Sequence, residues 1–242
     1  DRYQSGKKAA SELNSEIVIL DDGFQHRQLA RELDIVIIDA LNPWGRGHLI
    51  PRGFLREPLS ALKRADIFII SKSNSVSNQR LNKIQSQLEL YKKTAPVFHA
   101  GYTPLNFQNL NPDQPKNQKT SNDSLPLSFL QKKKVLAVCG IGNPESFIKT
   151  LNNLEIKVVD SIEFSDHHQY NQNDIEKIIN NVRELKIKDI VITEKDAVKI
   201  TSEMRKQITE NNINLYSLKI AVKIAQEDKF FKYLKRKLKK VR

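Results

Sequence analysis

The chain has 242 residues, enough for one large α/β domain or two modest ones, and its 39% hydrophobic and 28% charged residues exclude wholesale disorder. Its 40 Lys and Arg outnumber its 28 Asp and Glu, and the net charge of +12 favours polyanionic partners: nucleic acid, an anionic membrane surface or a phosphorylated ligand. A single cysteine excludes a disulfide framework and a cysteine-based metal site, and no apolar run approaches the roughly 20 residues of a membrane-spanning helix.

Apolar runs of strand length alternate with amphipathic stretches of helix length along the chain. The predicted strands are residues 17–20, 35–38, 67–70, 135–138, 190–192 and 213–218, and the predicted helices are residues 79–91, 144–154 and 173–185. Continuous β-branched runs are typical of parallel strands that are buried on both faces. The pattern therefore predicts a doubly wound, mostly parallel α/β fold.

One stretch breaks this alternation. Residues 106–124 are rich in Asn, Gln, Pro and Lys and offer almost nothing to bury, which is typical of a linker or an excursion between two lobes. We therefore predict a core domain over residues 1–105, a linker or excursion over residues 106–133, and a C-terminal α/β lobe over residues 134–242. The basic segment 229–242 has apolar residues on one side. Docking of that apolar side on the fold is favoured over contact with an anionic membrane.

The sharpest local feature is the predicted strand 17–20, which runs directly into Asp21, Asp22 and Gly23. In open α/β sheets, ligands bind beyond the carboxyl ends of the strands. An acid at such a position can hold Mg²⁺ directly or through water. A strand that ends in Asp-Asp-Gly is also an ordinary turn, so this feature alone leaves both interpretations open.

Five blocks in chain order resemble one enzyme family. They are Asp-Asp-Gly-Phe-Gln-His-Arg at 21–27 with the acidic strand that follows at 33–40, Asn-Pro-Trp-Gly at 42–45 with Leu-Arg-Glu-Pro-Leu at 55–59 and Leu-Lys-Arg-Ala-Asp at 62–66, Gly-Ile-Gly-Asn-Pro at 140–144, Phe-Ser-Asp-His-His-Gln-Tyr at 164–170, and Thr-Glu-Lys-Asp-Ala-Val-Lys at 193–199. Together they cover most of the chain and resemble the tetraacyldisaccharide 4'-kinase family of lipid A biosynthesis. Arg52 and Phe54 depart from the family pattern, in which a small residue and a proline are usual.

The resemblance implies a P-loop kinase core with a second, smaller α/β lobe, and ATP and Mg²⁺ as cofactors. The implied reaction phosphorylates the 4'-hydroxyl of the tetraacylated glucosamine disaccharide 1-phosphate, the lipid A precursor, at the cytoplasmic face of the bacterial inner membrane. The family's phosphate loop lies upstream of the Asp-Asp-Gly block, and no G-x-x-x-x-G-K-[ST] motif occurs in this chain. We therefore expect an N-terminally truncated member that is inactive alone and whose missing segment carries the phosphate loop and any membrane anchor.

The resemblance also assigns roles to single residues. It implies metal ligands at Asp21 and Asp22, nucleotide contacts at Asp22, Gln25, His26, Glu194 and Lys195, and catalytic roles for Arg56, Asp166 and His167. Each role has a structural alternative. Arg56 could pair with Glu57 or another nearby acid. The histidine pair is predicted to lie in the loop between a strand-like run that ends near Phe164 and the helix that starts near Asn173, and it could be a helix-entry or surface feature. A helix N-cap explains Thr193, and an acid in the first helical turn explains Glu194.

Two other functions stay open at this point. The net charge suggests a basic nucleic-acid-binding protein, but Lys and Arg are spread over the whole length, and no RNA-binding aromatic motif or zinc-ligand spacing occurs. No nucleic-acid partner is therefore expected. The other alternative is a non-catalytic relic of a kinase. The sequence leaves the oligomeric state open.

Overall fold

A computed structural model describes residues 1–111 and 124–239. The chain divides into two compact units, the first formed by Asp1–Tyr102 with Val222–Arg242 and the second by Thr103–Ala221. Part of the predicted linker, residues 112–123, lies outside the described residues, as do residues 240–242 of the predicted basic segment.

The strands are β1 (Ile35–Asp39), β2 (Ile67–Ser71), β3 (Val97–Asn109), β4 (Ser124–Leu125), β5 (Lys134–Cys139), β6 (Lys157–Glu163), β7 (Asp189–Thr193) and β8 (Asn214–Ile224). The α-helices are α1 (Arg2–Glu12), α2 (Asn78–Tyr91), α3 (Pro144–Asn153), α4 (Gln172–Glu184), α5 (Glu194–Ala197), α6 (Ser202–Glu210) and α7 (Glu227–Lys239). Short 3₁₀ helices occupy Gly45–Gly47, Leu59–Arg64, Ser73–Ser75 and Leu127–Leu130. None of the helices in the described residues has the length and apolar character that crossing a membrane requires.

The first unit contains parallel strands covered on both faces. β2 pairs in parallel with β1 and with β3. Phe68 and Ile70 of β2 pack in the cluster that includes the buried side of α2, whereas Ile67 and Ile69 pack in the cluster that includes Phe230 of α7. Successive strand residues thus enter two different cores, which explains why this strand reads as an unbroken apolar run.

The second unit repeats this layout. β5 pairs in parallel with β6 and β7, and β7 pairs in parallel with β8, while β4 is antiparallel to the end of β3. One face of β5 packs with α4 and the other with α3. The α4 helix begins with a capping box, in which Asn171 accepts from the backbone of Asp174 and Asp174 accepts from the backbone of Asn171. The predicted doubly wound, mostly parallel α/β fold is confirmed.

The predicted strand at residues 17–20 is wrong. These residues form no strand, and Ile17, Val18 and Ile19 are exposed, Ile19 by 88%. β-branched residues form a strand only where a neighbouring backbone accepts the ladder hydrogen bonds, and no described strand pairs with this run. Asp21 and Asp22 consequently follow an irregular segment and do not lie at the carboxyl end of a strand.

Three other parts of the chain differ from the sequence prediction. Residues 106–109 of the predicted linker are the end of β3, and residues 124–130 form β4 and a 3₁₀ helix. The α7 helix belongs to the first unit, although the sequence prediction assigned it to the C-terminal lobe. The apolar side of α7 packs on the fold, as the sequence analysis favoured, since Phe230, Tyr233 and Leu234 pack with Phe98. The strand-like run that the sequence indicates before the histidine pair, ending near Phe164, is β6; its side chains are mostly exposed, and among the described strands it pairs with β5 alone.

Candidate active site

In the first unit, the Asp21–Asp22 turn is joined to the Leu-Arg-Glu-Pro block by an ion pair. Asp22 has a left-handed backbone (φ 48°), and its Oδ2 accepts from Nη1 of Arg56 at 2.6 Å. Both side chains are more than half exposed, so solvent screens their attraction and the pair contributes little to folding. Of the acids near Arg56, Asp22 is its partner and the adjacent Glu57 is not.

Glu57 joins the same two segments through a second contact. It accepts from Nη2 of Arg64 at 2.5 Å, and it lies 3.5 Å from Nε of Arg27. The guanidinium of Arg64 also lies over the ring of Phe24, 4.4 Å from its centroid, and Nη2 donates to the Phe24 carbonyl oxygen at 3.3 Å. The loop 21–27 is therefore fixed against the block 55–64 independently of the exposed Arg56–Asp22 pair. Sequence reasoning did not predict that Glu57 and Arg64 hold this loop. The only available signal was that they carry opposite charges within the blocks 55–59 and 62–66.

Four of the predicted nucleotide and metal contacts lie on this turn. Asp21 and Gln25 are exposed and His26 is half-buried, with its backbone N–H donating to the Gly23 carbonyl oxygen at 2.9 Å. In the described residues, no three His, Cys, Asp or Glu side chains converge into a metal centre. Mg²⁺ fits the adjacent carboxylates of Asp21 and Asp22, because it binds through one or two carboxylates and completes its shell with waters and substrate phosphates.

In the second unit, three loops meet at the carboxyl ends of the neighbouring strands β5, β6 and β7. The Phe164 N–H donates to the Cys139 carbonyl oxygen at 2.8 Å, and the Gly140 N–H donates to Oδ2 of Asp196 at 3.0 Å. A Cβ atom on Gly142 would lie 3.3 Å from Oδ2 of Asp166. Ligands bind at this edge in open α/β sheets, which makes it the candidate site of the unit.

The two adjacent histidines of this site have different surroundings. His167 has a left-handed backbone (φ 62°), and its side chain is 89% exposed, with Nε2 3.9 Å from Oδ2 of Asp166. The ring of His168 is half-buried, stacks on Phe164 at 4.4 Å, and its Nε2 lies 2.9 Å from Oδ2 of Asp174. His168 thus holds the loop, whereas the imidazole of His167 is exposed to solvent beside the Asp166 carboxylate.

The Thr-Glu-Lys-Asp block forms the start of α5. Thr193 caps the helix by accepting from the Asp196 N–H at 3.2 Å, so the N-cap interpretation of Thr193 is confirmed. Glu194 is half-buried and lies 3.9 Å from Nζ of Lys219, while Lys195 is exposed. Asp196 is fully buried and makes more polar contacts than Glu194 or Lys195, yet sequence reasoning did not select it as a site residue. The Thr-x-x-Asp spacing, which resembles a capping box, was the available signal.

The surroundings of Asp196 favour neutral groups. Burial raises the pKa of the Cys139 thiol to about 12, with Asp196 and Glu163 adding to the effect. Burial, and then the charge of Asp196, also raise the pKa of the Tyr170 phenol. The loops therefore meet around one buried carboxylate whose neighbouring thiol and phenol stay protonated at neutral pH.

Comparisons with known proteins agree on one family. A family model described as tetraacyldisaccharide-1-P 4'-kinase matches residues 1–239. The tetraacyldisaccharide 4'-kinase of Halothermothrix orenii is 44% identical, over 93% of this chain and 58% of its own length. The probable mitochondrial tetraacyldisaccharide 4'-kinase of Arabidopsis thaliana is 36% identical, over 74% of this chain and 45% of its own length.

A solved structure matches as well. The crystal structure of LpxK from Aquifex aeolicus in complex with ATP has a TM-score of 0.63 and 28% identity, and the match covers 98% of this chain and 62% of that one. This chain thus spans about half the length of the curated relatives it matches. The match over residues 1–239 and the 44% identity decide the assignment: the chain belongs to the tetraacyldisaccharide-1-P 4'-kinase family.

Proposed function

We propose that this chain supplies two groups of active-site residues to a kinase that transfers the γ-phosphoryl group of ATP to the 4'-hydroxyl of the tetraacylated glucosamine disaccharide 1-phosphate. The observation that carries this proposal is the family match over residues 1–239, which includes both groups. The curated relatives have the name of this activity, and the Aquifex aeolicus structure contains ATP.

The Asp21–Asp22 turn is the proposed metal and nucleotide side of the reaction. Asp21 and Asp22 would hold Mg²⁺, which would supply positive charge to offset the charge of the phosphates. Arg56, 2.6 Å from Asp22, orients that carboxylate and offers a guanidinium to the transferred phosphoryl group. Gln25 and His26, one turn further, are the proposed polar contacts to the nucleotide.

The Asp166–His167 loop is the proposed proton-handling side. Imidazole is a common general base in enzymes, and the His167 ring is exposed, so it can accept the proton of an attacking hydroxyl or relay it to a carboxylate. Oδ1 of Asp166 accepts from the His167 backbone N–H at 3.0 Å and so holds the backbone from which the His167 side chain extends. Glu194 and Lys195, at the start of α5, are the proposed second set of nucleotide contacts.

The α7 helix supports a further part of the proposal, peripheral contact with an anionic membrane surface at its cytoplasmic face. Its apolar stripe packs on the first unit, which leaves a cationic outer face. The exposed cations of that face are Lys229, Lys232, Lys235, Arg236 and Lys239. Such a face attracts anionic headgroups, and the proposed acceptor substrate is itself a lipid in that surface.

A phosphoryl-transfer assay tests the proposal. Radiolabelled γ-phosphate is followed from ATP to the tetraacyldisaccharide 1-phosphate, with this chain alone and with the chain joined to an upstream segment that carries a phosphate loop. We expect transfer from the joined protein only, and a loss of about 100-fold in kcat for Asp22→Asn, because Mg²⁺ would lose a charged ligand.

Asp228→Asn, an equal loss of charge on the exposed first turn of α7, is the matched control and should leave kcat unchanged. Transfer by the chain alone would contradict the expected truncation. A joined protein that folds and transfers nothing would contradict the function itself.

A further inference from the structure

Asp196 has no role in the proposed chemistry, yet it is the most connected side chain of the second unit's site. It is fully buried. Its Oδ2 accepts from the Gly140 N–H at 3.0 Å and from Oγ1 of Thr193 at 2.6 Å, and its Oδ1 lies 3.4 Å from Nζ of Lys199. One carboxylate therefore joins the turn after β5 to the start of α5.

Gly140, in the turn after β5, lies between Asp196 and the loop 165–168 that carries the two histidines. A Cβ atom on Gly140 would lie 3.1 Å from Oδ1 of Asp196, 3.3 Å from Cβ of His168 and 3.4 Å from the Ser165 carbonyl oxygen. The space beside Gly140, between Asp196 and the loop 165–168, is therefore too small for a side-chain carbon unless a neighbour moves by a few tenths of an ångström. A shift of the Asp196 carboxylate would act on Gly140 through its N–H and, because the loop 165–168 lies so close to Gly140, on the backbone that carries Asp166 and His167.

Stability alone does not account for an ionised group at this position. A buried ion pair such as Asp196–Lys199 often contributes no more to folding than apolar residues of the same volume. What a carboxylate supplies is two acceptor oxygens with fixed directions, which here receive donors from three separate residues. An amide in its place would turn one acceptor into a donor that faces Thr193 or Lys199.

We propose that Asp196 is a positioning residue, which sets the placement of Asp166 and His167 through the Gly140 turn. The inference rests on the proposed function, since it assigns to Asp196 the task of holding the proton-handling loop of that kinase. Asp196 itself touches neither substrate nor nucleotide in this role.

The first test measures the loop and does not need catalysis. In Asp196→Asn we expect the Gly140 amide to exchange its hydrogen at least about 10-fold faster, because it loses a charge-assisted hydrogen bond. We also expect the NMR signals of the His167 and His168 rings to shift. Asp189→Asn is the matched control: Asp189 lies at the amino end of β7, the strand that precedes α5, and accepts from Nδ2 of Asn214 at 2.8 Å. It should change neither signal.

The second test measures the reaction in the joined, active protein. We expect Asp196→Asn to lower kcat about 100-fold with both KM values within about twofold, because a displaced proton acceptor slows the chemical step without weakening binding. Asp189→Asn should leave kcat unchanged. A folded Asp196→Asn protein with unaltered Gly140 exchange, unaltered histidine signals or unaltered kcat overturns the proposal.

A variant that keeps the carboxylate guards against simple misfolding of Asp196→Asn. Gly140→Ala inserts a methyl group between Asp196 and His168 and should shift the same histidine signals; unchanged signals would overturn the proposal. If the wild-type joined protein transfers no phosphate, the proposed function fails while the exchange and NMR results still decide the role of Asp196.

Discussion

Burial at the end of β5 makes the thiol of Cys139 unreactive. Its thiol is fully buried, and burial raises its pKa to about 12, so both protonation and access oppose reaction. We expect almost no labelling by an aromatic disulfide reagent at about pH 8 in native buffer, and one equivalent after unfolding, as followed by absorbance. Fast labelling of the native protein would contradict this and would show that the end of β5 opens locally.

Arg56 allows stability and function to be separated. Because its pair with Asp22 is largely exposed, Arg56→Lys should change the free energy of unfolding by less than about 1 kcal/mol. In the joined kinase, kcat should fall about 100-fold, because lysine lacks the planar fork that matches phosphate. Chemical denaturation and the phosphoryl-transfer assay measure the two effects. Arg52→Lys, an exposed arginine of the same loop, is the control, and a large loss of stability in Arg56→Lys would indicate a structural ion pair instead.

The histidine pair marks a limit of sequence reasoning at the scale of single residues. The sequence predicted the loop that carries His167 and His168, and the family resemblance selected His167. The sequence alone does not decide which of the two adjacent rings faces inward. That choice depends on the left-handed backbone of His167 and on the aromatic ring of Phe164, which offers His168 a stacking surface. Asp196 was missed for a related reason, since its partner Gly140, far away in the chain, becomes its neighbour only through the fold.

At the scale of elements, β1 and the helices α2, α3 and α4 were predicted within one residue at either end, as were the strands that are buried on both faces. β2, β5 and β7 were each found within one residue at either end, because their unbroken apolar runs reflect two cores. β3 was missed, because Gly101 and Pro104 interrupt its pattern. The run 17–20 shows the opposite error, an apolar stretch without a strand partner in the described residues.

The α7 helix provides a matched pair of phenylalanines for testing its docking. Phe230 is buried edge-on against Phe98, with ring centroids 5.2 Å apart, whereas its neighbour Phe231 is 44% exposed. Phe230→Ala should lower the free energy of unfolding by about 3 kcal/mol, and Phe231→Ala by less than about 1 kcal/mol, in urea titrations. Equal effects of the two substitutions would contradict the docking of this helix through its apolar stripe.

At the scale of the whole molecule, net charge says less about function than family membership does. A charge of +12 fits nucleic acid, membranes and phosphorylated ligands equally, and the sequence could not choose among them by charge alone. The five sequence blocks that resemble the kinase family could choose among them. The family match over residues 1–239 does not favour the nucleic-acid alternative. What charge predicts is how the chain approaches a surface, and the structure shows which of its cations α7 leaves exposed.

Binding to lipid vesicles tests that use of the charge. We expect the chain to sediment with vesicles that contain anionic phospholipid, and to be released when salt is raised from about 0.05 to about 0.5 M, because screening shortens the reach of surface charges. Lys232→Gln with Lys235→Gln should weaken binding about 30-fold, at about 1 kcal/mol for each cation near the surface. Lys83→Gln with Lys93→Gln removes the same charge from exposed positions outside α7 and is the control. Equal losses in the two double variants would mean that net charge, and not the outer face of α7, attracts the membrane.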